Sequence, residues 1–138
     1  MIILDTNVLS ALMRTAPEPK VVAWLDNQPQ ESVWITSITV LEVRFGLEIL
    51  PASKKRTALF RTFNSLLDTI GHRIAGFDAA AAESAADLMA RRRKAGRPVE
   101  LRDTMIAGIA LARRASLATR NVSHFADASI SVIDPWAD

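Results

Sequence analysis

Short apolar segments alternate along this chain with longer segments of helical periodicity, and this alternation limits the possible fold more than any other feature. The apolar segments have the length of buried β-strands, which we assign to residues 2–4, 33–36, 73–75, 117–119 and 131–133. Between them lie segments with helical spacing or capping residues, at 6–13, 17–27, 38–50, 53–69, 78–96 and 102–115. Strands that alternate with helices predict an α/β sandwich with a mainly parallel central sheet. The helix pair between residues 38 and 69 is expected to form a helical arm beside this sheet.

Length and composition narrow the class of protein. The chain has 138 residues, 49% of them hydrophobic, so we expect a single domain (residues 1–138) with one real core. It contains no cysteine, which excludes disulfides and thiolate metal sites and is typical of the reducing cytoplasm. No run of about 18 apolar residues occurs, so no membrane-spanning helix is expected.

A carboxylate follows directly on the first apolar segment. Asp5 ends the run Met1-Ile2-Ile3-Leu4, and apolar residues resume after Thr6 and Asn7. In parallel α/β sheets, ligands bind outside the carboxyl ends of the strands, which is where Asp5 is expected to lie. The alternative is that Asp5 only caps the helix that begins at Thr6.

A second acid, Glu42, lies within the helical segment 38–50. Ile38, Leu41, Phe45 and Ile49 follow helical spacing, and Glu42 is four residues after the first of them, so we expect it on this apolar face. A carboxylate there faces either the core or a lined cleft, and an unpaired buried charge costs several kcal/mol, roughly. The alternative is a structural ion pair with Arg44 or Arg73.

A third acid, Asp103, stands at the start of a helical segment that is uncharged from residue 104 to residue 112. Its alternative role is that of a helix cap or a first-turn acid that meets the helix dipole. Thr119 and Asn121 follow the fourth strand and bring hydrogen-bonding groups to the same edge of the sheet. Their alternative role is a plain turn.

Three converging carboxylates repel one another and need a compensating cation. Carboxylates are hard oxygen ligands, and the only histidines are His72 and His124, to which we assign no role. This set suits Mg²⁺ or Mn²⁺ far better than zinc. A divalent ion held in this way, with positions open to water, suits phosphodiester hydrolysis.

The residues that carry these acids resemble the PIN-domain family, and in particular the VapC and FitB-like toxins of bacterial toxin–antitoxin pairs. The resemblance covers essentially the whole chain, and four sequence blocks occur in the family's order: "ILDTNVLS", "TSITVLEVRFGLEIL", "LRDTMIAGIALARRASLATRN" and "VIDPWAD". Asp5, Glu42 and Asp103 match the acids of the first three blocks, and residues 119–121 match the strand-end signature.

This resemblance implies a PIN-like α/β/α sandwich and a metal-dependent endoribonuclease that acts on RNA as a toxin. It implies a homodimer, silenced by a cognate antitoxin that we expect to bind beside the arm. Asp5, Glu42 and Asp103 would hold Mg²⁺ or Mn²⁺, and Asn121 would orient water or substrate. The side chains expected to support them are Thr6, Asn7, Ser37 and Thr119.

One position departs from the family pattern. Many members carry Asp where this chain has Asn121, so a second metal ion is less secure here. Asp127 would replace that acid only if its loop folded back, which we do not expect. The basic clusters at residues 54–56 and 91–94 are expected to meet the RNA backbone weakly.

Two other classes of protein share some of these sequence features. A phosphoaspartyl phosphatase or receiver also uses a strand-end Asp, but the phosphatase signature needs an acid two residues later, where this chain has Asn7. A non-catalytic PIN-shaped module would bind an antitoxin or nucleic acid without cleaving it. RNA cleavage by the purified protein separates these classes.

Overall fold

A five-stranded parallel sheet forms the centre of the protein. The structure, a computed structural model, describes residues 1–98 and 100–137. Within these residues the strand order is β3-β2-β1-β4-β5, and every neighbouring pair is parallel. The strands are β1 Ile2–Leu4, β2 Val33–Thr36, β3 Ile74–Ala75, β4 Ser116–Ala118 and β5 Val132–Ile133. The prediction of an α/β fold with a mainly parallel sheet is confirmed.

Helices connect the strands, as the sequence predicts. They are α1 Thr6–Leu12, α2 Pro19–Asp26, α3 Ser37–Glu48, α4 Lys54–Ile70, α5 Ala79–Lys94 and α6 Leu101–Arg113. Their ends differ from the predicted ends by no more than two residues. Two 3₁₀ turns, Gln30–Ser32 and Val122–Phe125, were not predicted, because such short turns have no hydrophobic period. No helix in the described part of the chain has the length and apolar character needed to cross a membrane.

The helices form two layers, one on each face of the sheet. Successive strand residues point to opposite faces, so Ile3 packs in the core under α5 and α6, whereas Leu4 packs in the core under α1 to α4. We call these the α5–α6 core and the α1–α4 core. In β4, Leu117 and Ala118 divide between the two cores in the same way. The result is the expected α/β/α sandwich.

The arm formed by α3 and α4 differs from the prediction in its orientation. Leu41, Phe45 and Ile49 are 56%, 56% and 66% exposed, so the predicted apolar stripe of α3 does not face the core beyond Ile38. The helix instead buries Thr39, Val43 and Leu47. These residues repeat every four positions on the opposite side of the helix, where they meet the α1–α4 core. The prediction that this segment is a helix was correct. The prediction that its apolar stripe faces the core was wrong.

Helices α5 and α6 pack closely because of one glycine. A Cβ atom at Gly108 would lie 2.6 Å from the Ala81 carbonyl oxygen and 2.7 Å from the Ala85 Cβ. Small residues on both helices therefore allow backbones to approach where an ordinary side chain would separate them. This contact sets how closely α6, which carries Asp103, approaches α5.

A buried ion pair ties α5 to the segment that follows β4. Arg92 is 4% exposed, and its guanidinium donates to both Asp127 carboxylate oxygens at 3.0 and 2.9 Å. It also donates to Thr104 Oγ1 at 3.0 Å and to the His124 carbonyl at 2.6 Å. Asp127 is thus a structural residue and does not enter the acidic site, as expected. One cation of the predicted basic cluster 91–94 is unavailable to RNA.

The contact at Gly108 predicts a contrast between two glycine substitutions. Gly108→Ala should destabilise the protein by about 1–3 kcal/mol, because the atoms it meets belong to backbone and to short side chains. Gly46→Ala, within α3 and with nothing within 4 Å of the added carbon, should stabilise it by about 0.5–1 kcal/mol. Urea denaturation of both variants measures this contrast, and changes of equal sign and size would contradict the packing argument.

The Arg92–Asp127 pair predicts a second stability difference. Asp127→Ala should cost about 3 kcal/mol, because it leaves a buried guanidinium without its counter-charge. The matched control is Glu48→Ala, which removes an exposed pair with Arg44 and should cost less than about 1 kcal/mol.

The dependence of this difference on pH follows from the Asp127 pKa. The hydrogen bond from Arg92, with the charges of Arg92 and Arg97, lowers this pKa against the opposing effect of burial. The pair should therefore stabilise the fold above the unfolded-state value of about 3.9, and this stabilisation should disappear as pH falls through the folded-state value. Denaturation across a pH series measures it. A gap between wild type and Asp127→Ala that stayed constant into strong acid would contradict the assignment.

Candidate functional site

Asp5 is a buried carboxylate at the carboxyl end of β1. It is 3% exposed and accepts hydrogen bonds from the Thr6 backbone N–H at 2.8 Å, Thr119 Oγ1 at 2.7 Å and Asn7 Nδ2 at 3.3 Å. The bond from Thr6 shows that Asp5 does cap α1, so the capping alternative holds alongside any other role.

The environment of Asp5 disfavours its charge. Burial raises the pKa of Asp5, more than the hydrogen bonds from Thr119 and Thr6 lower it, and the charges of Asp103 and Glu42 raise it further. Asp5 therefore lies within electrostatic range of both Asp103 and Glu42. A positive ligand placed there would remove the electrostatic cost.

Glu42 is held by a chain of threonine hydroxyls. Its Oε1 accepts from Thr6 Oγ1 at 2.8 Å, and Thr6 Oγ1 lies 3.0 Å from Thr39 Oγ1. Thr36 Oγ1 in turn donates to Thr39 Oγ1 at 3.3 Å. Because each hydroxyl has a single proton, Thr39 must donate to Thr6 while Thr6 donates to the carboxylate. The chain thus ends on Glu42 as its acceptor and fixes the carboxylate at the cleft.

The alternative reading of Glu42, an ion pair with Arg44 or Arg73, named the wrong arginines. Arg44 pairs with Glu48 at 3.0 Å, and Arg73 donates to the backbone carbonyls of Gln30, Val33 and Thr69. The cation beside Glu42 is Arg102, at 3.6 Å. It comes from the first turn of α6, and no local pattern in the sequence places that turn next to α3.

Asp103 lies in the first turn of α6 and is paired with a histidine. The N-cap position of this helix is Glu100, and Asp103 Oδ2 lies 3.0 Å from His124 Nδ1. His124 belongs to the 3₁₀ turn whose carbonyl Arg92 binds, so the buried ion pair also positions this ring. No role for His124 was predicted, and the separation of these partners along the sequence gives no signal for it.

All three acids and Asn121 line one cleft of about 390 Å³. Of the supporting residues that were expected, Thr6 and Asn7 also line it, and Thr119 lies directly behind Asp5. Asn121 is exposed, and its backbone N–H donates to Thr119 Oγ1 at 3.0 Å. The remaining lining residues, which sequence reasoning missed, are Ser10, Ala11, Arg14, Arg120 and Trp136.

Ser37 does not join the cleft. Its Oγ accepts a hydrogen bond from the Phe77 backbone N–H at 3.2 Å, so it ties α3 to the loop after β3. Thr39, two residues later, makes the contact towards the site that was expected of Ser37. A separate cavity of about 450 Å³ between α1, α2 and α4 has a largely aliphatic lining and contains none of the three acids.

The donor atoms in the cleft suit a hard divalent cation. Carboxylate and amide oxygens are the ligands that Mg²⁺ and Mn²⁺ prefer. Burial, with smaller contributions from the charges of Asp103 and Glu42, raises the pKa of Asp5, so a cation in the cleft would stabilise its anion. Among residues 1–98 and 100–137, however, no three His, Cys, Asp or Glu side chains are placed so that they hold one metal ion together. In the conformation seen here, Glu42 and Asp103 lie beside Arg102 and His124 instead.

Comparisons with known proteins agree with this architecture. The family described as PIN domain matches residues 2–130. VapC ribonuclease Y4jK of Sinorhizobium fredii is 41% identical over 137 residues, which cover 99% of this chain and 98% of that protein. Toxin FitB of Neisseria gonorrhoeae is 37% identical over 139 residues and is matched along its full length, as is this chain.

A solved structure gives the same result at the level of the fold. The crystal structure of FitAcB from Neisseria gonorrhoeae superposes with a TM-score of 0.92 at 36% identity, covering 100% of both chains. The span that matches the family, residues 2–130, includes Asp5, Glu42 and Asp103. The chain belongs to the PIN-domain family.

Proposed function

We propose that this protein is a metal-dependent endoribonuclease and the toxin of a toxin–antitoxin pair, formed by one domain over residues 1–138. The observation that carries the proposal is the buried Asp5 carboxylate, which shares one cleft with Glu42 and Asp103 at the carboxyl edge of a parallel sheet. Relatives named as a ribonuclease and as a toxin, similar over the full chain, support it.

The three acids are the proposed ligands of Mg²⁺ or Mn²⁺. When bound, such an ion would polarise a phosphate oxygen and would lower the pKa of the attacking water. Thr6 holds Glu42, while Thr119 and Asn7 hold Asp5, so these side chains keep the carboxylates oriented towards the cleft. Asn121 supplies an uncharged amide that orients water or substrate.

Arg102 and His124 have a complementary part in this proposal. Each neighbours one acid in the present conformation: Arg102 brings a positive charge to Glu42, and the His124 ring shares a hydrogen bond with Asp103. For the ion to bind, the carboxylates of Glu42 and Asp103 would have to reorient towards Asp5. Because Asn121 carries no charge, a second metal ion would be held less firmly than the first.

The second candidate is a PIN-shaped module that binds an antitoxin or nucleic acid without cleavage. The observation in its favour is that the described acids are not assembled for metal binding. Under this alternative, Arg102 and His124 would be the permanent partners of Glu42 and Asp103.

The proposed partners are RNA, an antitoxin and a second copy of the chain in a homodimer, in the cytoplasm. An apolar patch on the arm supports a protein partner, since large side chains of α3 and the following turn are exposed: Leu41, Phe45, Ile49 and Leu50. Apolar residues at helical spacing are typical of surfaces that receive a partner helix.

Metal binding is tested by stability. Mg²⁺ or Mn²⁺ at about 100 times its dissociation constant should stabilise the wild type by about 2.7 kcal/mol relative to EDTA. Glu42→Gln should lose most of this increment, because it removes a charge from the site. Glu48→Gln, on the same helix and outside the cleft, should keep it. Melting curves of the wild type that coincide in metal and in EDTA would favour the non-catalytic alternative.

Cleavage separates the roles of Asp103 and Asn121. Asp103→Asn should abolish most metal-dependent cleavage, whereas Asn121→Ala should raise the barrier by only about 1–2 kcal/mol, the usual cost of one hydrogen bond. Asn121→Asp should keep or raise activity at low metal by adding an anion. Metal-titrated cleavage of one RNA by folded variants measures this order. Equal loss in Asp103→Asn and Asn121→Ala would make Asn121 a primary catalytic group.

A further inference from the structure

Arg120 lies on the rim of the acidic cleft, and both its backbone and its guanidinium have contacts there. Its backbone N–H donates to Asn7 Oδ1 at 3.2 Å, which ties it to the residues around Asp5. Its guanidinium carbon lies 5.0 Å from the centre of the Trp136 ring. Both Arg120 and Trp136 line the cleft together with the three acids. A side chain that is usually free in water is therefore placed at the site before any ligand arrives.

Trp136 is a firm support for this arginine. The indole is half-buried and packs against the α1–α4 core, and its backbone N–H donates to Asp134 Oδ1 at 2.9 Å. The Arg120 guanidinium lies over the ring, and both groups line the cleft, so a ligand there can reach the guanidinium. A nucleobase would have to displace Arg120 in order to stack on Trp136.

The charge of Arg120 is not used within the described part of the protein. No carboxylate of residues 1–98 or 100–137 lies within 4.0 Å of its guanidinium, whereas Arg102 at the same cleft is paired with Glu42. The guanidinium N–H groups match the geometry of a phosphate group, and stacking on an aromatic ring reduces the entropy lost when they bind it. Three carboxylates in the cleft repel a polyanion, so a substrate with phosphates needs a fixed cation nearby.

We propose that Arg120, held on Trp136, binds a backbone phosphate of the RNA strand beside the phosphodiester group that reaches the acids. This inference rests on the proposed ribonuclease function and adds a residue that positions the substrate. It adds an RNA contact at the rim of the cleft to those expected at the basic clusters 54–56 and 91–94.

The chain offers a matched control. Arg113 lies over the ring of Trp34, with its guanidinium carbon 5.5 Å from the ring centre, and neither residue lines the acidic cleft. Arg113→Gln therefore removes the same charge from the same kind of stacked pair at another place. Arg120→Lys is a second variant that keeps the charge but not the planar group.

The experiment measures binding without cleavage. A short fluorescein-labelled single-stranded RNA is titrated with the full-length protein in EDTA, and anisotropy is followed over a series of KCl concentrations. Arg120→Gln should weaken binding about 3–10-fold at moderate salt and reduce the slope of log K against log [KCl] by about 0.7, the value for one phosphate contact on a single strand. Arg120→Lys should keep the slope, and Arg113→Gln should change neither quantity.

Each outcome decides the assignment. An unchanged slope in folded Arg120→Gln overturns the phosphate contact, and weaker binding at unchanged slope would indicate base stacking instead. An equal effect of Arg113→Gln would reduce the result to net charge and also overturn it. Cleavage of the same RNA with Mg²⁺ is scored separately. A wild type that binds with the Arg120-dependent slope but does not cleave contradicts the proposed nuclease and leaves this inference standing.

Discussion

The removal of the Asp5 carboxylate from water is the constraint on which the rest of the site depends. A buried anion must be stabilised by donors, and here they come from separate parts of the chain: the first turn of α1 and the end of β4. The parallel pairing of β1 with β4 brings Thr119 to Asp5 across more than a hundred residues. The sheet is thus what makes this charge tolerable, and the raised pKa of Asp5 shows that the compensation is incomplete.

The fold could be predicted largely from local pattern. Short apolar runs and capping residues such as Asp78 have a physical cause within a few residues of the chain, and the Asp78 side chain does accept from the Ala81 N–H at 2.9 Å. The orientation of α3 could not be predicted in this way, because Leu41 and Phe45 have the period of a buried face but remain exposed. Periodicity shows that a helix has an apolar face. The packing of other elements decides which face is buried.

The site shows the same division. Asp5 and Asp103 were found from their positions next to strand and helix ends, which are local features. Glu42 was found by an argument that is wrong, since the apolar stripe on which it was placed faces solvent. It reaches the cleft because it is three residues after Thr39, whose side chain lies on the buried face and leads through Thr6 to the carboxylate. The neighbours of Glu42 and Asp103, which are Arg102 and His124, depend on tertiary contacts that no spacing in the sequence encodes.

The geometry of Asp103 depends on packing well behind the cleft. Close approach at Gly108 sets the position of α6, and Arg92 holds both Thr104, the residue after Asp103, and the turn that carries His124. A change in the α5–α6 contact therefore moves the carboxylate and its partner relative to Asp5, even though it touches no group in the cleft. Because charges at short range interact steeply with distance, such a shift alters the balance between repulsion and compensation at the site. Stability and site electrostatics in this protein are consequently linked through α6. A substitution in α6 should therefore be assessed for its effect on the free energy of unfolding and for its effect on the charges at the cleft.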